Sequence, residues 1–154
     1  MKYLNTFDLF LEEFQSYNFQ IISDDPKMIK YSFVDVAGNK YLVEFKNIPI
    51  DRGGSLGTTY ELVYFVEDGE YYSVSKIVNV NIYSVLQTIF GDILNDFIRR
   101  FRWVKTIFFV GLSKERERHF VSSRTRIYMR YLDRNPVPGF RVSQSGNNIK
   151  LIRT

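Results

Sequence analysis

The sequence contains no cysteine and only one histidine, His119. Without thiolates the chain can form neither disulfides nor cysteine-based zinc or iron–sulfur sites, and one histidine is too few for a multi-histidine metal site. No apolar run reaches the roughly 18 residues needed to cross a bilayer. The acidic residues Asp8, Glu12 and Glu13 also do not fit a signal peptide. We therefore expect a soluble protein with no metal, no cofactor and no membrane partner.

Patterns typical of catalysis are also missing. His119 has no recognisable nucleophile beside it in the sequence, and no spacing of the acidic residues selects a carboxylate pair for acid–base chemistry. The glycine-containing segment Asp51–Gly57 resembles a phosphate-binding loop only superficially, because no Lys-Ser/Thr pair follows it. The sequence predicts a flexible loop there and, for the whole chain, a protein that is not an enzyme.

What the chain does contain is enough for one folded domain. It has 154 residues, of which 45% are hydrophobic and 25% charged, so we assign a single domain over residues 1–154. Charge is uneven: residues 1–98 carry 7 basic and 14 acidic side chains, whereas residues 99–154 carry 14 basic and 3 acidic ones. This asymmetry indicates a basic surface for an acidic partner, or an acidic half that packs against a basic half.

Alternating patterns predict strands joined by tight turns. A hairpin loop at Gly38-Asn39 would place Val36 opposite Tyr41, and one at Asp68-Gly69 would place Phe65 opposite Tyr72. A third hairpin is expected to turn over residues 144–147, and residues 105–111 are predicted to form a buried strand.

Helical spacing of apolar residues predicts three helices. They are an amphipathic helix from Phe7 to Tyr17, a long central helix over about 82–101, and a helix over 114–134. Gly91 lies inside the long helix, which suggests that another element approaches it closely. The predicted fold class is α+β: a largely antiparallel sheet built from hairpins, with helices packed mainly on one face.

In the helix predicted over 114–134, Arg124 falls in the apolar sector. A buried guanidinium needs an anion, and Asp96 on the preceding helix is the candidate that we pair with it, with Tyr128 one turn later orienting it. Asp92 and Glu61 are alternatives. We favour a structural ion pair over a ligand-binding arginine.

The opposite side of the same helix carries a basic stripe, formed with His119 by Arg116, Arg126, Arg130 and Arg134. Arginines in a row can neutralise the phosphates of a nucleic acid without reading its sequence. The alternative is an exposed helix face that is simply solvated, and arginines near a helix C-terminus also complement the helix dipole.

From about Thr58 onward the chain resembles a loose group of small, uncharacterised proteins of tailed bacteriophages. The resemblance rests on the helix with Asp96-Phe97-Ile98, the strand Thr106–Phe109, the Arg124-Thr125-Arg126-Ile127-Tyr128 helix and the Gly139-Phe140 hairpin. It implies a phage product that acts in the host cytoplasm or the virion, and it transfers no catalytic residue.

These observations lead to two expectations about function. The first is a non-enzymatic phage accessory protein that contacts other phage or host proteins, since tyrosine and arginine are abundant and typical of interfaces. The alternative is a sequence-nonspecific nucleic-acid-binding protein that uses the basic stripe. The chain can also form a homo-oligomer.

Overall fold

The computed structural model describes residues 16–68, 71–73, 81–110 and 122–154, which form an α+β fold. The strands are β1 (Phe19–Asp25), β2 (Met28–Val34), β3 (Lys40–Ile48), β4 (Thr59–Asp68), β5 (Tyr71–Ser73), β6 (Thr106–Val110), β7 (Phe140–Ser145) and β8 (Asn148–Arg153). They pair in the order β1-β2-β3-β4-β6-β8-β7. All described pairs are antiparallel except β4 and β6, and β5 pairs with the far end of β4.

The first described helix, α1, is one run made of Ile82–Leu86, a π-helical segment Gln87–Ile93, and Leu94–Arg100. It begins after Asn81, whose side-chain oxygen accepts a hydrogen bond from the Tyr83 amide at 3.0 Å. This run corresponds to the helix that the sequence predicts over 82–101. The close approach expected at Gly91 comes from Tyr131, whose hydroxyl oxygen would lie 3.4 Å from an alanine Cβ at that position.

The second helix, α2 (Ser123–Arg134), is shorter than predicted. Ser122 has an extended backbone with ψ 161°, and its hydroxyl oxygen accepts a hydrogen bond from the Thr125 amide at 3.1 Å. Ser122 is therefore the N-cap, and the prediction of one continuous helix over 114–134 is wrong. Residues 114–121 of that prediction lie outside the described residues.

Aromatic side chains attach both helices to the sheet. The Phe97 ring of α1 stacks on Phe45 of β3, with ring centroids 4.0 Å apart, and meets Tyr60 of β4 edge-on at 5.0 Å. Tyr128 of α2 contacts Phe109 of β6, with centroids 5.8 Å apart. These rings are buried and form the centre of the hydrophobic core.

The pairing of β2 with β3 differs from the prediction. Phe33, not Val36, lies opposite Tyr41, and Val36 is 84% exposed. The buried carboxylate of Asp35 causes this shift, because it accepts hydrogen bonds from the amides of Ala37 and Asn39 and from the Tyr41 hydroxyl, all at 2.8 to 2.9 Å. The turn is therefore a longer loop organised around Asp35.

The strand pairing at two other hairpins also differs from the prediction, and one strand was not predicted. Glu67, not Phe65, pairs with Tyr72, so the pairing of β4 with β5 is shifted by two residues from the predicted one. Ser145 pairs with Asn148, which shortens the last turn to Gly146-Asn147, with Gly146 at φ 60°. Strand β1 was not predicted, because its Asp24-Asp25-Pro26 end resembles a helix terminus.

Most of the predicted N-terminal helix over residues 7–17 lies outside the described residues. Tyr17 itself is described and is not helical. Its amide donates a hydrogen bond to the Thr88 hydroxyl of α1 at 2.8 Å, and its ring stacks on Phe33 with centroids 6.0 Å apart. The chain thus enters the described fold against α1 and β2.

Buried tyrosines predict a loss of stability in alkali. Burial and the nearby Asp92 raise the pKa of Tyr131 to about 12, whereas an unfolded tyrosine titrates near 10. The folded state therefore holds this proton more tightly, and the associated stability is complete below pH 10 and lost as pH rises towards 12. In urea unfolding at pH 9 to 12, Tyr131→Phe should remove a decline on the order of 2 kcal/mol. Parallel curves for the two proteins between pH 10 and 12 would contradict this prediction.

Candidate functional site

A loop between β3 and β4 is held by a buried asparagine. The Asn47 side chain donates a hydrogen bond to the Gly57 carbonyl oxygen and accepts one from the Gly57 amide, both at 2.9 Å. A Cβ at Gly57 would lie 2.3 Å from the carbonyl oxygen of Ile48, so glycine alone fits here. The two ends of the loop are therefore fastened to each other.

Further hydrogen bonds order the loop between these ends. The Ser55 amide donates to the Asp51 carboxylate at 3.1 Å, and the Ile50 amide donates to the Ser55 carbonyl oxygen at 3.1 Å. The amides of Ser55, Gly53 and Gly54 lower the pKa of Asp51, so its carboxylate stays charged. The segment that the sequence analysis expected to be flexible is a hydrogen-bonded loop.

A second turn presents Trp103 at the same end of the sheet. The amides of Lys105 and Thr106 both donate to the Thr58 carbonyl oxygen, at 2.8 and 3.2 Å, which places this turn beside the loop. The Arg153 guanidinium donates from Nε to the Val104 carbonyl oxygen at 2.8 Å. Trp103 also meets the buried Phe101 ring edge-on, with centroids 5.3 Å apart. Trp103 thus lies between a ring contact with Phe101 and a backbone segment, residues 104–106, that is hydrogen-bonded to Arg153 and Thr58.

Together the two turns expose four large apolar side chains, which we call the loop-end patch: Ile48, Ile50, Leu56 and Trp103. Their exposed fractions are 37%, 73%, 41% and 43%, respectively. The same two turns carry three exposed cations, namely Arg52, Arg102 and Lys105. Apolar side chains gathered in a polar rim are typical of protein-binding surfaces, whereas scattered ones are not.

The structure does not bring Arg124 and Asp96 together, so the predicted buried ion pair is wrong. Asp96 instead accepts a hydrogen bond from the Tyr31 hydroxyl at 2.8 Å and pairs with Arg100 at 3.6 Å and Arg99 at 3.3 Å. Residues three and four positions apart are neighbours on one side of a helix, so Arg99 and Arg100 lie within reach of the Asp96 carboxylate.

The Asp96 cluster joins α1 to the sheet. Arg100 also contacts Asp24 at the end of β1, and burial, with Asp96 nearby, raises the pKa of the Tyr31 phenol. A carboxylate that is held by one hydroxyl and two guanidinium groups is a structural anchor, and nothing in this geometry leaves it free to act on a substrate.

Arg124 instead lines a pocket with Tyr128, its predicted neighbour. The Tyr128 hydroxyl lies 2.9 Å from the Tyr64 hydroxyl of β4. Burial raises the pKa of Tyr128, Tyr64 raises it further, and Arg124 partly opposes the shift. The Tyr128 hydroxyl therefore keeps its hydrogen at physiological pH and joins Tyr64 by a hydrogen bond.

The predicted basic stripe is described only in part. Arg126, Arg130 and Arg134 are exposed on α2, whereas Arg116 and His119 lie outside the described residues. The three described arginines follow one another at intervals of four residues and so lie along one side of the helix.

The loop-end patch was not among the sites predicted from the sequence. The alternation Ile48-Pro49-Ile50 just before the glycines was a usable signal, because apolar residues in a loop either fold inward or stay exposed. What the sequence could not show was that Asn47 closes the loop and holds these side chains outward.

Comparison with known proteins gives no match to a family model, to a curated protein or to a solved structure. In the described part of the chain, no helix has the length and apolar character that a membrane crossing requires. The same residues contain no group of three or more metal-binding side chains.

The Asn47 and Gly57 geometry predicts a loop that tolerates no Cβ at residue 57. Gly57→Ala should force the Ile48 carbonyl group away and break at least one of the two Asn47 hydrogen bonds. We expect a loss of about 1 to 3 kcal/mol in the free energy of unfolding, measured by urea denaturation, together with faster amide exchange at Ser55 and Gly57.

The matched control is Gly53→Ala in the same loop. A Cβ at Gly53 meets only the Asp51 carboxylate oxygen, at 3.4 Å, and its φ is not in the left-handed region. This variant should change stability by less than about 0.5 kcal/mol. Equal destabilisation by the two substitutions would show that the Asn47 contact is not what orders the loop.

Proposed function

We propose that the protein is a non-enzymatic module that binds another protein through the loop-end patch. The observation that carries this proposal is the 73% exposure of Ile50 in a loop that Asn47 fastens at both ends. A rigid loop loses little conformational entropy on binding, so its exposed apolar side chains contribute more of their burial energy to affinity. Trp103 is the residue type that most often anchors such interfaces.

The rim of the patch favours an acidic partner. Arg52, Arg102 and Lys105 are exposed there, and the charged carboxylate of Asp51 in the same loop offsets only part of their charge. A partner segment with aliphatic side chains flanked by carboxylates would match both the apolar centre and the basic rim. The resemblance stated above makes an infected bacterium the setting for this contact, with the partner in the phage particle or among host proteins.

We propose further that the strands are joined as hairpins and that the helices pack mainly on one face of the sheet. This arrangement leaves the end of the sheet with the loop-end patch uncovered. The contacts of Phe97 with Phe45 and Tyr60, and of Tyr128 with Phe109, support this arrangement. In the loop-end patch, Ile48 is the last residue of β3, and Ile50, Leu56 and Trp103 lie outside the strands.

Site-specific photocrosslinking tests the patch. A benzoylphenylalanine at position 50 should form one defined protein adduct in infected cells, and the same group at Val36, which is more exposed and belongs to a different turn, should form none. Arg52→Glu with Arg102→Glu should reduce the adduct at least fivefold, because the rim attracts acidic partners.

Three outcomes would contradict the proposal. They are equal labelling from positions 50 and 36, an adduct that ignores the charge reversal, and an adduct made of two copies of this chain, which would indicate self-association instead. The thermal midpoint of the charge-reversed protein serves as the control for folding.

The exposed arginines of α2 support a second candidate, sequence-nonspecific binding of nucleic acid. Because each phosphate contact releases counterions, Arg126→Glu with Arg130→Glu should weaken binding of a labelled single-stranded 30-mer by about tenfold or more at low salt. It should also flatten the salt dependence in fluorescence anisotropy. Absence of binding by the unaltered protein at 50 mM salt would exclude this candidate.

A further inference from the structure

A pocket of about 370 Å³ opens between β4, β6, α1 and α2, away from the loop-end patch. Its walls are largely aromatic and aliphatic, with the rings of Phe90, Phe109 and Tyr128 and the side chains of Leu62 and Val63. Phe90 and Phe109 are buried, and their ring centroids lie 4.9 Å apart. The size and the aromatic lining suit one small planar ligand.

Arg124 brings a positive charge to this pocket. Within the described part of the chain, no hydrogen bond or ion pair reaches its guanidinium group. A half-buried cation beside apolar walls is partly desolvated, and an anion that enters the pocket restores the lost interactions. A structural ion pair of Arg124 with Asp96, Asp92 or Glu61 was the expectation, and within the described residues no ion pair joins Arg124 to any of the three.

The paired hydroxyls supply a second polar contact. Whichever of Tyr64 and Tyr128 donates within the pair, the other keeps its own hydroxyl hydrogen. Among the described residues, this is the hydrogen bond that the two hydroxyls make. One O–H group is thus free to donate to a ligand oxygen near Arg124.

We propose that this pocket binds a small aromatic carboxylate, with the carboxylate contacting Arg124 and the tyrosine hydroxyls and the ring packed against the side of the Phe90 and Phe109 pair that faces the pocket. A carboxylate has two oxygens in one plane, which the guanidinium fork and one hydroxyl can satisfy together. A phosphate dianion fits less well, because the pocket offers one cation and also contains the carboxylate of Glu61. This inference uses a different surface from the proposed function and does not depend on it.

Titration with 3-phenylpropionate, followed by NMR of the aromatic resonances, tests the proposal. For a ligand of this size we expect a Kd on the order of 1 mM. Arg124→Gln should weaken binding at least tenfold, and Tyr128→Phe about threefold to tenfold. Glu61→Gln should strengthen it severalfold, because a neighbouring negative charge is removed.

The neutral amide of the same acid is the matched ligand control and should bind at least tenfold more weakly than 3-phenylpropionate. Equal affinity for acid and amide would overturn the proposal, as would an Arg124→Gln protein that binds the acid normally. Binding of inorganic phosphate in place of the acid, lost in Arg124→Gln, would also overturn it. Arg124→Lys, which keeps the charge but not the fork, should recover only part of the affinity.

Discussion

Phe97 makes the contact on which the rest of the structure depends. Its ring stacks on Phe45 and meets Tyr60 edge-on, so it fixes α1 to both β3 and β4. The same ring contacts Phe101, with centroids 5.2 Å apart, and Phe101 in turn contacts Trp103. A line of rings therefore runs from the middle of the core to the exposed tryptophan. The packing that stabilises the fold also determines where the candidate binding surface lies.

Long-period patterns in the sequence predicted more of the fold than short-range turn signals did. The apolar residues of α1 recur over several turns, and a single misplaced residue cannot hide such a pattern. The conformation of the hairpin loop at residues 35–39, in contrast, depends on one side chain, that of Asp35. Asp35 is an acidic residue, so its place in the alternation suggested solvent, yet three neighbouring residues donate four hydrogen bonds to its carboxylate. A buried polar turn residue therefore shifted the register.

The partners of charged residues were the least predictable feature. Arg124 and Tyr128 do lie together, as their spacing of one helical turn indicates. Asp96 had several cations within reach in the sequence, and which one it pairs with depends on how α1 is rotated against β1 and β2. Helical phase alone could not show that Arg124 lines a pocket between β4, β6 and α1 and does not reach Asp96. The loop-end patch was hidden for a similar reason, since it combines residues 48–56 with Trp103 through contacts at Thr58.

The parallel pairing of β4 with β6 has a consequence for the order of folding. Strands β1 to β4 are neighbours both along the chain and in the sheet, so they can associate as they leave the ribosome. The last three strands join the sheet only through β6, which reaches β4 after the whole of α1 has been made. Until then, residues 59–61 of β4 have no strand paired with them on the side that later pairs with β6. The nascent chain thus carries a short open strand edge, a feature that favours pairing with other chains until β6 covers it.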